Sequence, residues 1–398
     1  MKKIIKCITS ALSVLCCFVF AIIFSGEYIL PENVVFYDGQ ETVRILSVFT
    51  AEKKYISECI SDDDKSAEIS LFGVLPVGTV SATETQRQYV YIGGNLIGIR
   101  LYTDGILVVG TDSVDSHEGA VKPADDAGIR KGDIIVMADG NEIDSVSTFI
   151  KIINSADGSD VNVVVMRDNK ELSLQLKPAF SVTENKYRCG LWLRDSTAGI
   201  GTMTFADPSS GVVASLGHAI CDSETGAVLP VGDGDILDAQ LNGCIAGNKG
   251  ATGQIKGNFS DTVIGNLISN NKFGVYGTYS DAEYSESLLY PVASQTEIKI
   301  GKAQIVSTVT SEGPEFYDAE IERITYSEDK AVRSIVIKVT DEDLVSVTGG
   351  IIQGMSGSPI IQNGMLVGAV THVFLNDPTR GYGIFAETML SVCREIAR

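Results

Sequence analysis

Residues 353–372 read QGMSGSPIIQNGMLVGAVTH. Two apolar runs that suit strands, Ile360-Ile361 and Met365-Leu366-Val367, are joined through Asn363-Gly364. That pair favours a type I′ hairpin turn, because both of its residues take positive φ at low cost. Ahead of the hairpin stand Gly354-Met355-Ser356-Gly357-Ser358-Pro359, which can bury almost nothing yet sit on a rigid base. Glycine at 354 and 357 frees the backbone around Ser356, so the N–H groups of Gly354 and Ser356 can converge on one point. Two such donors can hold a developing oxyanion, each contributing about 3 kcal/mol to acyl transfer.

The loop resembles the Gly-x-Ser-Gly-x-Pro nucleophile loop of chymotrypsin-like serine peptidases. It excludes the nucleophile elbow of α/β-hydrolases, which needs glycine where Ser358 stands and a helix afterwards. A serine hydroxyl is barely nucleophilic without a base, and the chain has three histidines. His117 falls in a different unit, and His372 lies in a run after the hairpin that reads as core. His218, in Ser215-Leu216-Gly217-His218-Ala219-Ile220, closes an apolar strand 356 − 218 = 138 residues before Ser356 and is the expected base. A carboxylate should orient its imidazole. Spacing does not choose among Asp222, Asp233, Asp235, Asp261, Asp341 and Asp343.

The chain is mainly β in character. Its 398 residues exceed one ordinary core, 44% are hydrophobic, and 40 glycines against 10 prolines favour turns over long disordered spacers. A formal charge of −20 argues against nucleic acid as a partner, since both would carry the same sign. Lys2, Lys3 and Lys6 precede an uncharged run over residues 7–25, which as a helix would span roughly 28 Å and cross a bilayer's apolar core. Residues 1–25 are therefore read as a signal anchor with its lysines cytoplasmic and the remainder beyond the membrane. Five cysteines outside that run, Cys59, Cys189, Cys221, Cys244 and Cys393, lack metal-like spacing and are expected as buried free thiols, with a Cys221–Cys244 bridge the alternative. Neither a zinc signature nor a phosphate-cradling glycine loop occurs in the sequence, and no cofactor is expected.

Residues 26–84, with the acidic patch Ser61-Asp62-Asp63-Asp64, read as an exposed tether that can be cut. Residues 85–180 mix short β-type runs with two helical stretches, one from Pro123 to Gly128 and one from Ser147 to Asn154. Within them PADDAGIRKGDIIVMADGNEID, residues 123–144, resembles a bacterial PDZ domain. That resemblance implies a carboxylate-binding loop at Gly94-Asn95 and peptide-binding positions Leu96, Ile97, Gly98 and Ile99, onto which a peptide would add as a strand. Residues 181–398 alternate in KAQIVSTV and RSIVIKVT and read as one β-barrel or a pair, forming the peptidase domain. No internal repeat is evident.

The segments GLWLRDSTAGIGTMTF, SLGHAICDSETG, IKVTD and TGGIIQGMSGSPIIQNGMLVGAVTHVFLNDPTRGYGIF together resemble the stage IV sporulation protein B family of PDZ-containing serine peptidases. Resemblance implies His218 as base, Ser356 as nucleophile and Asp341 as the orienting acid, although 356 − 341 = 15 residues is an unusual spacing for a chymotrypsin-like acid. It further implies an enzyme that cleaves itself in trans between residues 26 and 85. Freed into the space between forespore and mother-cell membranes, it would cut a membrane-bound regulator and so release processing of a sigma-factor precursor. Two other readings are a non-catalytic PDZ adaptor in the same pathway and a general extracytoplasmic quality-control protease.

Overall fold

The computed structural model describes residues 30–398 except 32, 38–39, 46–47, 55–65, 169, 224, 280–284 and 286–287. The anchor expected over 7–25 and the patch at 61–64 lie outside them, and no helix among the described residues is long and apolar enough to cross a membrane.

The described residues of 33–85 form a folded sheet rather than an exposed tether. Five strands, β1 (Asn33–Tyr37), β2 (Thr42–Ile45), β3 (Phe49–Lys54), β4 (Ser66–Leu71) and β5 (Leu75–Thr85), form one sheet in the order β1-β5-β4-β3-β2. Strict alternation in β4 turns Ala67, Ile69 and Leu71 inward against Val34, Phe36 and Ile45, giving the segment its own small core. The sheet is docked on the rest of the chain. Arg87 lies 3.8 Å over the Tyr37 ring and grips Glu297 through both carboxylate oxygens at 2.7 and 3.0 Å.

After β6 (Tyr89–Ile92), the long strand β7 (Leu96–Thr111) serves two bodies in turn. Gly105, at φ +89°, marks the passage, and a Cβ there would lie 2.7 Å from the Ile135 carbonyl. Beyond it comes a PDZ-like lobe made of β8 (Val114–Ser116), β9 (Gly119–Val121), α1 (Pro123–Ala127), β10 (Ile134–Ala138), β11 (Asn141–Glu142), α2 (Val146–Ser155), β12 (Val161–Arg167), β13 (Lys170–Leu176), β14 (Ala179–Ser181) and β15 (Lys186–Arg188). Proline opens α1 and Gly128, at φ +81°, closes it. Ser145 caps α2 by accepting from the Thr148 N–H at 3.2 Å. Buried Asp133 holds Arg167 through both oxygens, fastening the α1 turn to β12.

The chain then returns along β16 (Leu191–Asp207), which pairs with β7 through both bodies: Trp192 opposite Gly110 in the lobe, Gly201 opposite Ile97 beyond it. Next come β17 (Val212–Ser215), β18 (Val231–Ile245), β19 (Gln254–Asn271), β20 (Gly274–Tyr279) and β21 (Leu289–Pro291), the last pairing with β6. The ladders run β7-β18-β19-β20-β17-β16, and the β7–β16 pairing closes the ring into a first barrel. A second closed barrel follows from β22 (Gly301–Thr310), β23 (Gly313–Ile324), β24 (Ile335–Val339), β25 (Pro359–Gln362), β26 (Met365–Phe374) and β27 (Asp377–Phe385), with α3 (Glu342–Thr348) after β24 and α4 (Ala386–Ile396) at the end.

Numbered within each barrel, the strands go round in the same order, 1-2-3-6-5-4, which is the double-barrel plan expected of a chymotrypsin-like peptidase. The PDZ-like lobe is inserted between the first and second strands of the first barrel. The boundaries expected at 85–180 and 181–398 therefore change. Residues 96–103 belong to the peptidase barrel, while the lobe extends to about residue 194, where β16 leaves it. The described cysteines Cys189, Cys221, Cys244 and Cys393 are all free, and Cys221 is exposed rather than buried.

Candidate active site

Ser356 sits between the third and fourth strands of the second barrel, on a loop held from the first. Thr202 of β16 donates its N–H to the Ser356 carbonyl at 3.1 Å and its Oγ1 to the Gly354 carbonyl at 2.7 Å. Thr204, two residues on and therefore on the same face, donates Oγ1 to the Gly357 carbonyl at 2.7 Å. Gly357, at φ +97°, approaches so closely that a Cβ would stand 2.1 Å from the Thr202 carbonyl, which is why only glycine fits. The Met355 N–H bonds the Ile352 carbonyl, whereas those of Gly354 and Ser356 donate to no acceptor among the described residues. Two free amides thus flank the serine. Its Oγ donates to the Thr371 carbonyl at 2.8 Å. A cleft of about 580 Å³ opens beside Gly354 and Gln353, walled by Ile255, Lys256, Asn258 and Phe259 of β19.

His218 reaches the same place from the first barrel, just after that barrel's third strand. Leu216 and Gly217 turn the chain there with φ of +64° and +69°, and a Cβ on Gly217 would press on Ile384 and Thr371 of the second barrel. Nδ1 of His218 lies 2.9 Å from the Ala219 carbonyl. With its proton donated there, Nε2 carries the lone pair, the tautomer a general base requires. Burial holds the imidazole below its ordinary range and outweighs the opposing Ala219 contact. Asn270, at the end of β19, accepts from the Ile220 N–H at 2.8 Å and donates to the Ile220 and Leu229 carbonyls at 2.8 and 2.9 Å, fixing the loop that follows. The ring of His372 lies 4.8 Å from that of His218, centroid to centroid. His117 lies elsewhere, stacked on Phe180 in the lobe.

Asp341 is not brought to His218. It is the N-cap of α3, with Oδ1 accepting from the Leu344 N–H at 2.9 Å and Oδ2 from the Asp318 N–H at 3.2 Å. Both oxygens are taken by backbone donors of the second barrel, so the orienting contact that the resemblance implied is absent from this arrangement. Asp261 is fully exposed on β19, 3.6 Å from Arg100, and Asp235 faces the same arginine. Buried Asp222 pairs with Arg194 and accepts from the Thr225 N–H, ordering the segment after His218 without bonding its ring.

Leu96, Ile97, Gly98 and Ile99 cannot receive a peptide strand. Ile97, Gly98 and Ile99 pair with Asp238, Leu237 and Ile236 of β18 on one side and with Gly201, Ile200 and Gly199 of β16 on the other, so neither edge is open. The groove of the lobe lies elsewhere. About 430 Å³ separates α2 from residues 190–193 of β16, lined by Phe149, Ile150, Ile153, Tyr187 and Trp192. There β16 pairs only with β7, leaving its outer edge unpaired, and Trp192 is 62% exposed.

A sequence reading could not find Thr202, Thr204, Asn270 or the 190–193 edge. The alternation of TMTF marks a strand, but only the fold puts the threonine hydroxyls against Gly354 and Gly357.

Fold and site together define a double-barrel peptidase with a PDZ lobe spliced into its first barrel. The SpoIVB peptidase S55 family matches residues 185–390, just over half of the chain, and the PDZ domain family matches residues 97–177. The chain belongs to the SpoIVB peptidase S55 family and is a serine endopeptidase. No curated protein matches it significantly. Among solved structures it is similar to the PDZ domain of an SdrC-like protein from Listeria monocytogenes, with 28% identity over 23% of this chain and 90% of that one and a TM-score of 0.19. It is also similar to the inactive form of the M. tuberculosis Rv3671c protease, with 14% identity, 50% and 85% coverage and a TM-score of 0.29. The HtrA-type protease AlgW with decapeptide gives 10% identity, 77% and 65% coverage and a TM-score of 0.30.

Proposed function

We propose that Ser356 is the nucleophile and His218 its base. On substrate binding the Ser356 hydroxyl leaves the Thr371 carbonyl for Nε2 of His218. As the Oγ–C bond forms, the proton passes to Nε2, and the free amides of Gly354 and Ser356 receive the oxyanion. The proton then goes to the departing amine as the C–N bond breaks. The observation that carries this reading is the pair of unpaired amides on a loop anchored by three hydrogen bonds to the barrel that supplies His218.

The family name suggests a sporulation peptidase; to that we add the proposal that it is anchored through residues 7–25, cuts itself in trans and then cuts a membrane-bound regulator from the intermembrane space. Strands locked in a sheet cannot enter an active site as extended chain without breaking their ladders. Self-cleavage within 26–85 therefore falls outside β1–β5. The groove between α2 and residues 190–193 takes an extended peptide of the regulator or of a second copy by strand addition. Trp192, the single tryptophan of the sequence, reports such binding through its emission.

A fluorophosphonate probe tests the chemistry. Ser356 should be labelled in the native chain, and labelling should disappear in Ser356→Ala and fall at least about a thousandfold in rate in His218→Ala. An unlabelled native chain would leave a PDZ adaptor as the better description.

A further inference from the structure

We infer that the hairpin between β4 and β5 is a membrane-surface finger, whose apolar tip enters the boundary between the headgroups and acyl chains of a lipid bilayer. The inference rests on the anchored reading above and extends it to the folded part of the chain. Val74 is 85% exposed and Phe72 64%, the two largest exposures of any large apolar side chain among the described residues, and Leu75 beside them is 43% exposed. Water is an unfavourable neighbour for three such side chains. The turn itself is closed: the Val74 N–H donates to the Leu71 carbonyl at 3.2 Å, and Phe72 and Gly73 take φ of +54° and +71°. Such a turn suits Asn-Gly, so a phenylalanine at its first central position opposes both backbone preference and solvation. No charge relieves it, because the 84 − 68 − 1 = 15 residues between Glu68 and Glu84 are all uncharged in a chain of net charge −20.

Topology fixes where the tip points. β1 runs parallel to β5 with Asn33 level with Ser81, so the incoming chain reaches β1 from the end of the sheet where β5 begins. The tip stands 81 − 75 = 6 residues farther out, roughly 20 Å at about 3.3 Å per residue. Leu30 already packs on the core of the sheet. From Ser25, the last residue of the uncharged run, the 33 − 25 = 8 peptide steps to Asn33 reach at most roughly 28 Å. A bilayer holding residues 7–25 therefore lies within reach of the tip. The opposite end of the sheet is the one fastened to the peptidase: Tyr37, last in β1, donates its hydroxyl to the Val292 carbonyl at 3.4 Å and carries Arg87 on its ring. The Lys53–Glu84 pair, at 2.7 Å, lies toward that fastened end. The sheet thus stands between bilayer and peptidase with the tip as its foot. Self-cleavage ahead of β1 removes the covalent anchor, while the finger keeps a reversible hold that leaves the peptidase at the surface where a membrane-bound regulator is presented.

The test uses the full chain carrying Ser356→Ala, so that it stays uncut, in phosphatidylcholine vesicles with brominated acyl chains, which quench tryptophan only at acyl depth. Trp192 gives the background, Val74→Trp adds a reporter at the tip, and Thr79→Trp, 79 − 74 = 5 residues up β5 and also exposed, is the control. A finger of this kind penetrates about 5–10 Å, less than the roughly 16 Å that separates the two positions. Expected in Val74→Trp is added emission at shorter wavelength, at least about half of it lost to brominated lipid, against less than about a tenth in Thr79→Trp. Adding Phe72→Asp to Val74→Trp should abolish that loss while the chain still sediments with the vesicles. Equal quenching at the two positions, or none in Val74→Trp on a chain that sediments with the vesicles, would overturn the inference. Emission shifted to shorter wavelength but indifferent to bromine would put a second copy on the tip and overturn it as well. A chain that does not sediment with the vesicles at all would instead sink the anchored reading, and the finger with it, so the two failures are distinguishable.

Discussion

Replacing Asp341 by Asn leaves an acceptor at the start of α3, since Asn caps a helix about as well as Asp. The account therefore expects Asp341→Asn to retain kcat within about threefold, while Asp341→Ala loses about 1 kcal/mol of stability with the cap, measurable by chemical denaturation. This departs from the role that family resemblance assigns to Asp341, and the reason is geometric: fifteen residues before Ser356, the chain has yet to complete α3, and the carboxylate is used to begin that helix. The turns that carry Ser356 and His218 were legible because glycines beside each mark backbone turned against its ordinary preference, and Gly217 and Gly357 do have positive φ with neighbours that exclude a side chain. His372 was legible as a residue but not as a neighbour. On one strand it looks like core, and only the meeting of two barrels shows what its ring faces.

β16 is the element on which the most depends. Its first residues wall the groove of the lobe and its last part holds the nucleophile loop through Thr202 and Thr204, both wholly buried. Removing the Thr204 hydroxyl strands the buried Gly357 carbonyl and removing that of Thr202 releases the half-buried Gly354 carbonyl, so Thr202→Val and Thr204→Val should each cost on the order of 1–3 kcal/mol in stability, Thr204→Val the more, and lower kcat more than they raise KM. A raised KM with kcat unchanged would show the clamp to be a matter of substrate binding instead. Because one continuous strand joins the two regions, a peptide added at 191–193 should alter Trp192 emission and the rate of Ser356 labelling together. Hairpins and helices of this kind were readable beforehand: Asn363-Gly364 does turn β25 into β26, with φ of +52° and +73°, and both lobe helices begin and end within a residue or two of the expected positions. Pairing partners were not, since the alternation in β7 says that one face is buried without saying which strands lie beside it.

At the scale of the whole molecule, two barrels with one strand order arise from segments without evident sequence repetition, because burial pattern and connection length, rather than residue identity, decide how six strands close. Linear boundaries fail here for the same reason. The first strand of the barrel lies ahead of the lobe and the remaining five behind it, so the PDZ match over 97–177 and the peptidase match over 185–390 divide β7 from its partners. The N-terminal sheet adds a pH-dependent contact. Glu387, at the start of α4 beside the Tyr37 and Arg87 cluster, accepts from the Gln295 N–H at 3.1 Å, and burial raises its carboxyl to about 6. A raised carboxyl pKa means that folding favours the protonated form. Its stabilisation is present below the unfolded value near 4.5 and is lost as pH rises through about 6. Glu387→Gln should accordingly gain about 2 kcal/mol at pH 8 and nothing at pH 4 in denaturation free energy, flattening the profile between them.

The rate of fluorophosphonate labelling at Ser356, compared across the native chain, His218→Ala and Asp341→Asn, bears most directly on the central claim that a serine from one barrel and a histidine from the other act together without Asp341. The account predicts rapid labelling of the native chain and of Asp341→Asn, and almost none in His218→Ala. Labelling of His218→Ala at the native rate, or an Asp341→Asn chain as unreactive as His218→Ala, would contradict it.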